Sequence, residues 1–373
     1  MKDYQELIES LVDISKHPLR QVKEFKARTG CKAVGCFPEY VPAELVYAAG
    51  MFPVGLWGGN VENSRAKEYV PAFCCSVLMS NLEYGLNGTY KDIDAVIIPS
   101  LCDTLKCLGQ NFKVAVPSIK HIQYTYPQMR KIEAGVTFLE REYERVLSAL
   151  EELSGAKVSE KAISDAIEIF NDNRKALRRF TELACDHTDV ITPAVRHAVI
   201  KSGFFMEKPS HTALLKELCD ALSALPVSRK GKRVLLTGIM ADDEAMLKIL
   251  AENGLAVAVD DLAQETRQFR YDVPNEGGSA IHRLAMWWQI FKGCSLAYDP
   301  EKKRIDMIAA DIDKYDVKGV IVCMMKFCDP EEYDYPLLKD ALEAKGVPCL
   351  YMELDQKAEA QAQTRIQAFS EII

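Results

Sequence analysis

Residues 94–107 read DAVIIPSLCDTLKC, and residues 318–330 read KGVIVCMMKFCDP. Each opens on a short apolar run rich in β-branched residues, which has the composition of a buried strand. Each run then ends in a loop that begins Cys-Asp. Two strands more than two hundred residues apart thus deliver a cysteine to the same kind of place, and what surrounds them decides the fold.

Working outward from the first run, KAVGCF (32–37) and FPVGLWGG (52–59) read as strands flanking a helical PAELVYAAG (42–50), with Gly50 placed to stop that helix. VAVPSIKHIQY (114–124) supplies a further strand, and residues 1–27 read as one or two amphipathic helices. From about 133 to 225 the apolar residues keep helical spacing, as in Val136, Leu139, Tyr143, Val146 and Leu150. Around the second run come RVLLTG (233–238), a helix over DDEAMLKILAENG (242–254) and a strand AVAVDD (256–261). Helices near 280–292 and 303–314 follow, then a helix YPLLKDALEAKG (335–346) and a strand PCLYMELD (348–355). Strands alternating with helices of this length predict an α/β fold with parallel sheets and right-handed crossovers. The expected division is residues 1–135 for N-terminal helices and a first α/β unit, 136–228 for a helical connecting segment, and 229–373 for a second α/β unit. No echo between the two units is claimed, because the sequence match between them is too weak.

A chain of 373 residues buries a sizeable core without disulfides or metals. The net charge of −8 argues against a nucleic-acid surface, which needs a basic footprint. The polar start MKDYQELIESLVDISKH has no apolar stretch of signal-peptide type, and no run approaches membrane-spanning length. No membrane or nucleic-acid partner is therefore expected, and the expected location is the cytoplasm, where thiols stay reduced.

The twelve cysteines then become informative. Free cysteine is a small hydrophobe that packs well, and Cys185, Cys219, Cys323 and Cys349 fall in helical or strand patterns where packing suffices. Cys102 and Cys328 fall just past strand ends, where open parallel sheets bind ligands. Cys74 and Cys75, in PAFCCSVLMSNLEYGL (71–86), precede a helix-like segment whose N-terminus favours thiolate. Zinc sites usually show local C-x2-C pairs, and neither these nor sequential ferredoxin spacing occurs. A Cys-x4-Cys spacing recurs at 31/36, 102/107 and 323/328 without deciding the matter. No phosphate-binding loop, nucleophile elbow or H-E-x-x-H is present. The six histidines read as structural or solvated. Arg267 and Arg270 have two readings, an anion such as a CoA phosphate or salt bridges to Asp260, Asp261 or Glu265. Glu39 and Glu44 likewise fit a proton transfer or, preferably, a helix start.

KAVGCFPEYVPAELVYAAGMFPVGLWGG, PAFCCSVLMSNLEYGL, LCDTLKCLGQNFK, VDDLAQETRQFR and CMMKFCDPEEYDYP together resemble the 2-hydroxyacyl-CoA dehydratase family. The likeness runs over essentially the whole chain, including CSLAYDPEKKR (294–304), and is to the smaller, beta subunit of the (R)-2-hydroxyisocaproyl-CoA and phenyllactyl-CoA type. It implies two Rossmann-like domains and a 4Fe–4S cluster held by three cysteines. Matching motif by motif, these are Cys75 rather than Cys74, then Cys102, then Cys328, with a non-protein ligand on the fourth iron. Met79 stands where many relatives have arginine, which suits a beta subunit.

The resemblance further implies the chemistry. Loss of water from a 2-hydroxyacyl-CoA is difficult because the C3 hydrogen is not acidic. In the family one electron converts the thioester to a ketyl radical, which expels the hydroxyl group; the resulting enoxy radical has a far more acidic C3–H and loses that proton, and the electron is afterwards returned. An ATP-driven iron–sulfur activator delivers that electron, a larger alpha subunit binds most of the acyl-CoA, and the beta cluster relays. No acid–base residue is assigned to this chain. The alternative is a subunit of a related ATP-dependent reductase, of the benzoyl-CoA reductase or double-cubane type. A second cubane would need further ligands, with Cys36, Cys74 or Cys107 as candidates. A cofactor-free assembly protein whose cysteines only pack is the rival from another class.

Overall fold

A computed structural model describes residues 3–354 and 362–373, so Asp355, the last residue of the strand expected over 348–355, lies outside the described residues. The first sheet contains β1 (Ala33–Cys36), β2 (Phe52–Gly55), β3 (Ala95–Ser100) and β4 (Lys120–Thr125), all parallel, in the order β2-β1-β3-β4. The second contains β5 (Lys232–Gly238), β6 (Leu255–Leu262), β7 (Gly319–Met325) and β8 (Cys349–Leu354), also parallel, in the order β6-β5-β7-β8. Counted within each sheet, both orders are 2-1-3-4. The echo that the residues were too divergent to reveal is thus present in the topology: two Rossmann-like sheets with one winding.

The apolar runs form strands for the expected reason. Every residue of β3 and of β7 is buried, as both faces of a crossover-built parallel sheet must be. Pro99, which cannot donate to a ladder, lies beyond the stretch of β3 that pairs with β1, which stops at Ile97.

Between the sheets run helices Glu133–Ser154, Glu160–Asp186, Pro193–Ser202 and Lys208–Ser223. Gly155 ends the first in the left-handed conformation at φ 75°. Ser159 starts the second by accepting from the Ala162 N–H, and Thr192 starts the third ahead of a first-turn proline. The first core unites the N-terminal helices, the first sheet and these long helices with a stretch from Phe269 to Ala297 that follows β6 in the chain. Arg130, fully buried, fastens that stretch by donating to the carbonyls of Trp288 (2.7 Å), Phe291 (2.6 Å) and Tyr298 (3.0 Å). The second sheet carries a separate apolar layer on each face. A small apolar cluster of Trp57, Val77, Ile239, Met240, Ala263, Met325 and Cys328 bridges the two sheets at their carboxyl ends. Among the described residues no helix is long and apolar enough to cross a membrane.

Candidate functional site

In each sheet the chain reverses its direction of winding between the first and third strands, the switch point at which open α/β sheets bind ligands. Cys102 lies two residues past the end of β3 and Cys328 three past the end of β7, so the two occupy corresponding positions at the two switch points. Neither sits in a loop, as the residues had suggested. Cys102 is the N-cap of helix Asp103–Ala115, and Cys328 is the N-cap of helix Asp329–Lys345, which begins six residues before the expected start at Tyr335. Pro330 in its first turn has no N–H to lose there, and Asp329, Glu331 and Glu332 favour the positive helix end. Cys75 in turn is the N-cap of helix Ser76–Leu86, as its segment had indicated.

An N-cap side chain faces the unpaired N–H groups of the first turn. Cys102 Sγ accepts from the Leu105 N–H at 3.4 Å, and the Glu331 N–H favours the Cys328 thiolate, though no cap bond closes. All three sulfurs, brought by three helices, line one cleft of about 480 Å³. Its rim carries the exposed rings of Tyr298, Phe327 and Tyr333.

Burial pushes the Cys102 thiol up to about 12 and the Cys328 thiol well above its usual range, against the pull of those N–H groups. At neutral pH both are therefore protonated and poorly nucleophilic, which argues against an activated-thiol enzyme. A coordinating metal, by contrast, deprotonates a thiol outright. Among the described residues no three Cys, His, Asp or Glu side chains converge on a single metal ion. The three capping sulfurs are separated around an open cleft, a donor set that fits a polynuclear centre better than a single ion. Cys36, Cys74 and Cys107 do not line this cleft: Cys36 faces a different pocket, beside Glu39 and Lys208, and Cys107 is exposed.

A fourth cysteine does line it. Cys294 is buried on the cleft wall and accepts from Tyr40 Oη at 3.1 Å and from Arg267 Nη1 at 3.5 Å. The residues had given no reason to single it out, because it lies between predicted elements and its neighbours come from elsewhere in the chain. Arg267 and Arg270 take the salt-bridge reading. Arg267 Nη2 bonds Asp261 Oδ2 at 2.9 Å and its Nη1 bonds Glu331 Oε1 at 3.0 Å, while Arg270 Nη2 bonds Asp261 Oδ1 at 2.7 Å. Arg304 closes the network on Asp261 and Glu331, at 2.8 Å each. Burial opposes ionisation of Glu331, but Arg304 and Arg267 outweigh it and hold the carboxyl below its usual range.

Glu44 stands in the first turn of helix Ala43–Ala48, paired with Arg174, as the helix-start reading requires. Glu39 is buried, its Oε2 has no hydrogen-bond partner, and burial pushes its carboxyl up to about 8. Met79 packs in the core. His197 and His211 are buried in hydrogen-bond networks, consistent with structural roles.

Comparison with known proteins matches this sequence to named relatives. The model of the 2-hydroxyglutaryl-CoA dehydratase D-component family covers residues 38–373. The chain is 44% identical to the (R)-phenyllactyl-CoA dehydratase beta subunit of Clostridium sporogenes and 42% identical to the lactoyl-CoA dehydratase subunit beta of Anaerotignum propionicum, over the full length of both partners in each case. It is 40% identical to the (R)-2-hydroxyglutaryl-CoA dehydratase subunit beta of Acidaminococcus fermentans, over 98% of each chain. The chain therefore belongs to the 2-hydroxyglutaryl-CoA dehydratase D-component family, a family of hydro-lyase subunits.

Proposed function

We propose that this chain is the beta subunit of an (R)-2-hydroxyacyl-CoA dehydratase, and that Cys75, Cys102 and Cys328 hold a 4Fe–4S cluster through which an electron reaches a larger alpha subunit. The observation that carries the reading is the convergence of three helix N-caps, all cysteine, on one cleft at the switch points of two like-wound sheets. Such a cluster supplies low-potential one-electron chemistry. The chain's own residues hold it: the N–H groups of Leu105 and Glu331 face the sulfurs, and the three helix N-termini favour their negative charge. The apolar cluster around Trp57, Met240 and Met325 keeps water from the inner side of Cys328.

On this reading the electron comes from an ATP-dependent iron–sulfur activator, and the acyl-CoA is bound mainly by the alpha subunit. The relatives dehydrate phenyllactyl-, lactoyl- and hydroxyglutaryl-CoA by name. The acyl group to test first here is 2-hydroxyisocaproyl, then phenyllactyl and lactoyl. The reductase alternative has no comparable support, since the relatives at 40 to 44% identity are dehydratase subunits. Nor do Cys36, Cys74 or Cys107, the candidates for a second cubane, line the cleft.

The test is anaerobic purification with the partner subunit. About four iron and four sulfide per chain, with absorption near roughly 400 nm, are expected for one cubane. Cys328→Ser should lose the share belonging to this chain. Iron content unchanged by that substitution would overturn the assignment.

A further inference from the structure

The charged network behind the cleft is not needed to ligate anything, yet its central members are almost wholly shut off from water. Arg267 is fully buried, Asp261 and Glu331 are 2% and 3% exposed, and Arg304 is 5% exposed. Ion groups so far from water are screened little, so each acts as a fixed charge on whatever the cleft contains. Two contacts tie this network to the cleft wall. Arg267 Nη1 reaches both Cys294 Sγ (3.5 Å) and Glu331 Oε1 (3.0 Å). Glu331 stands one turn into the helix capped by Cys328, with Ser295 Oγ donating to its Oε1 at 2.7 Å. The guanidinium thus stands behind one wall sulfur, and the carboxylate is carried by the first turn of the helix that presents another.

We propose that Arg267 and Glu331 are an opposed pair of tuning charges, set behind Cys294 and Cys328, that fix the reduction potential of the redox centre in this cleft. The inference rests on the cleft being a cluster site, as argued above. One-electron reduction adds a negative charge to the centre. A fixed positive charge makes that easier and a fixed negative charge makes it harder. The network is close to neutral as built, with Arg267, Arg270 and Arg304 facing Asp261, Glu331 and Asp334. Removing one member therefore leaves a net charge of the opposite sign. For unit charges roughly ten ångströms apart at an effective dielectric near 20, the reduction equilibrium moves by about tenfold. A tenfold change is about 59 mV in a one-electron couple.

The experiment uses the anaerobically purified complex with its partner subunit. The iron–sulfur signal lost in Cys328→Ser is assigned to this chain, and its midpoint potential is followed by redox titration. Arg267→Met is expected to lower the reduction equilibrium constant about tenfold, Glu331→Gln to raise it about tenfold, and Arg267→Lys to stay within threefold of the parent. A merely structural role would not produce opposite signs. If Arg267→Met does not fold, the rise in Glu331→Gln decides alone. Shifts of the same sign, or both below threefold, overturn the tuning role while leaving the cluster in place. Absence of any signal that depends on Cys328 overturns the cluster reading and this inference together.

Discussion

The buried imidazole of His211 makes stability depend on acid in a way that can be worked out and measured. His211 is fully buried in helix Lys208–Ser223. Its Nδ1 accepts from Asn173 Nδ2 at 2.9 Å, an amide that also donates to Thr212 Oγ1 at 3.0 Å, and its Nε2–H points at the Val199 carbonyl at 3.4 Å. A proton added to Nδ1 would meet a donor, in an environment that already holds Lys208. Burial first, and the Lys208 charge second, press the folded value down to about 3, against roughly 6.5 in an unfolded chain. The folded form therefore favours neutral His211. Its contribution is complete above the unfolded value and is lost as pH falls from about 6.5 towards about 3. Between about pH 7.5 and about pH 5 the unfolded chain takes up nearly one proton that the folded chain refuses, which costs about 2 kcal/mol. Urea unfolding of the parent and of His211→Gln at both values isolates the effect, because other titrating groups are common to the two proteins. The parent should lose about 2 kcal/mol more than the variant on acidification. Equal losses would refute the reasoning, whatever the variant's stability at neutral pH.

Other outcomes follow from the same structure. Burial opposes protonation of His197, but Asp242 and Glu265 raise it to about 9, so its stabilising charge is complete below about 6.5 and is lost as pH rises through about 9. His197→Gln should therefore flatten the alkaline side of the stability profile between roughly pH 7 and pH 9, measured by urea unfolding. Gly238, at the end of β5 with φ 144°, would place a Cβ 2.2 Å from the Cys323 carbonyl oxygen; Gly238→Ala should cost about 2–3 kcal/mol by the same method. Phe180, fully buried in the first core, should cost about 3–5 kcal/mol as Phe180→Ala, seen as a lower denaturation midpoint. Cys102→Ser should leave the fold intact by circular dichroism while lowering the iron content of the anaerobic protein.

The residues that announce their structure early do so through local patterning. Val96-Ile97-Ile98 and Val320-Ile321-Val322 can only be strands buried on both faces, and helix Lys303–Lys314 lies where its spacing puts it. The helix starts at Asp103 and Asp329 escaped notice for a physical reason. The usual cap signal is an oxygen-bearing side chain, and a cysteine ahead of an aspartate reads as a turn unless the sulfur is recognised as the cap. Cys294 escaped notice for another. Its significance lies in Tyr40 and Arg267, 254 and 27 residues away in sequence.

By its own periodicity the sequence specified two sets of parallel strands, the helices between them, and two cysteines just past strand ends. Only the tertiary structure decided that the sheets share one winding, that the stretch from Phe269 to Ala297 returns to the first core, and that Cys75, Cys102, Cys294 and Cys328 border a single cleft. Local pattern is written by which face of an element must leave water, and it can be read one segment at a time. Convergence depends on how distant faces pack together, and no single segment carries that information.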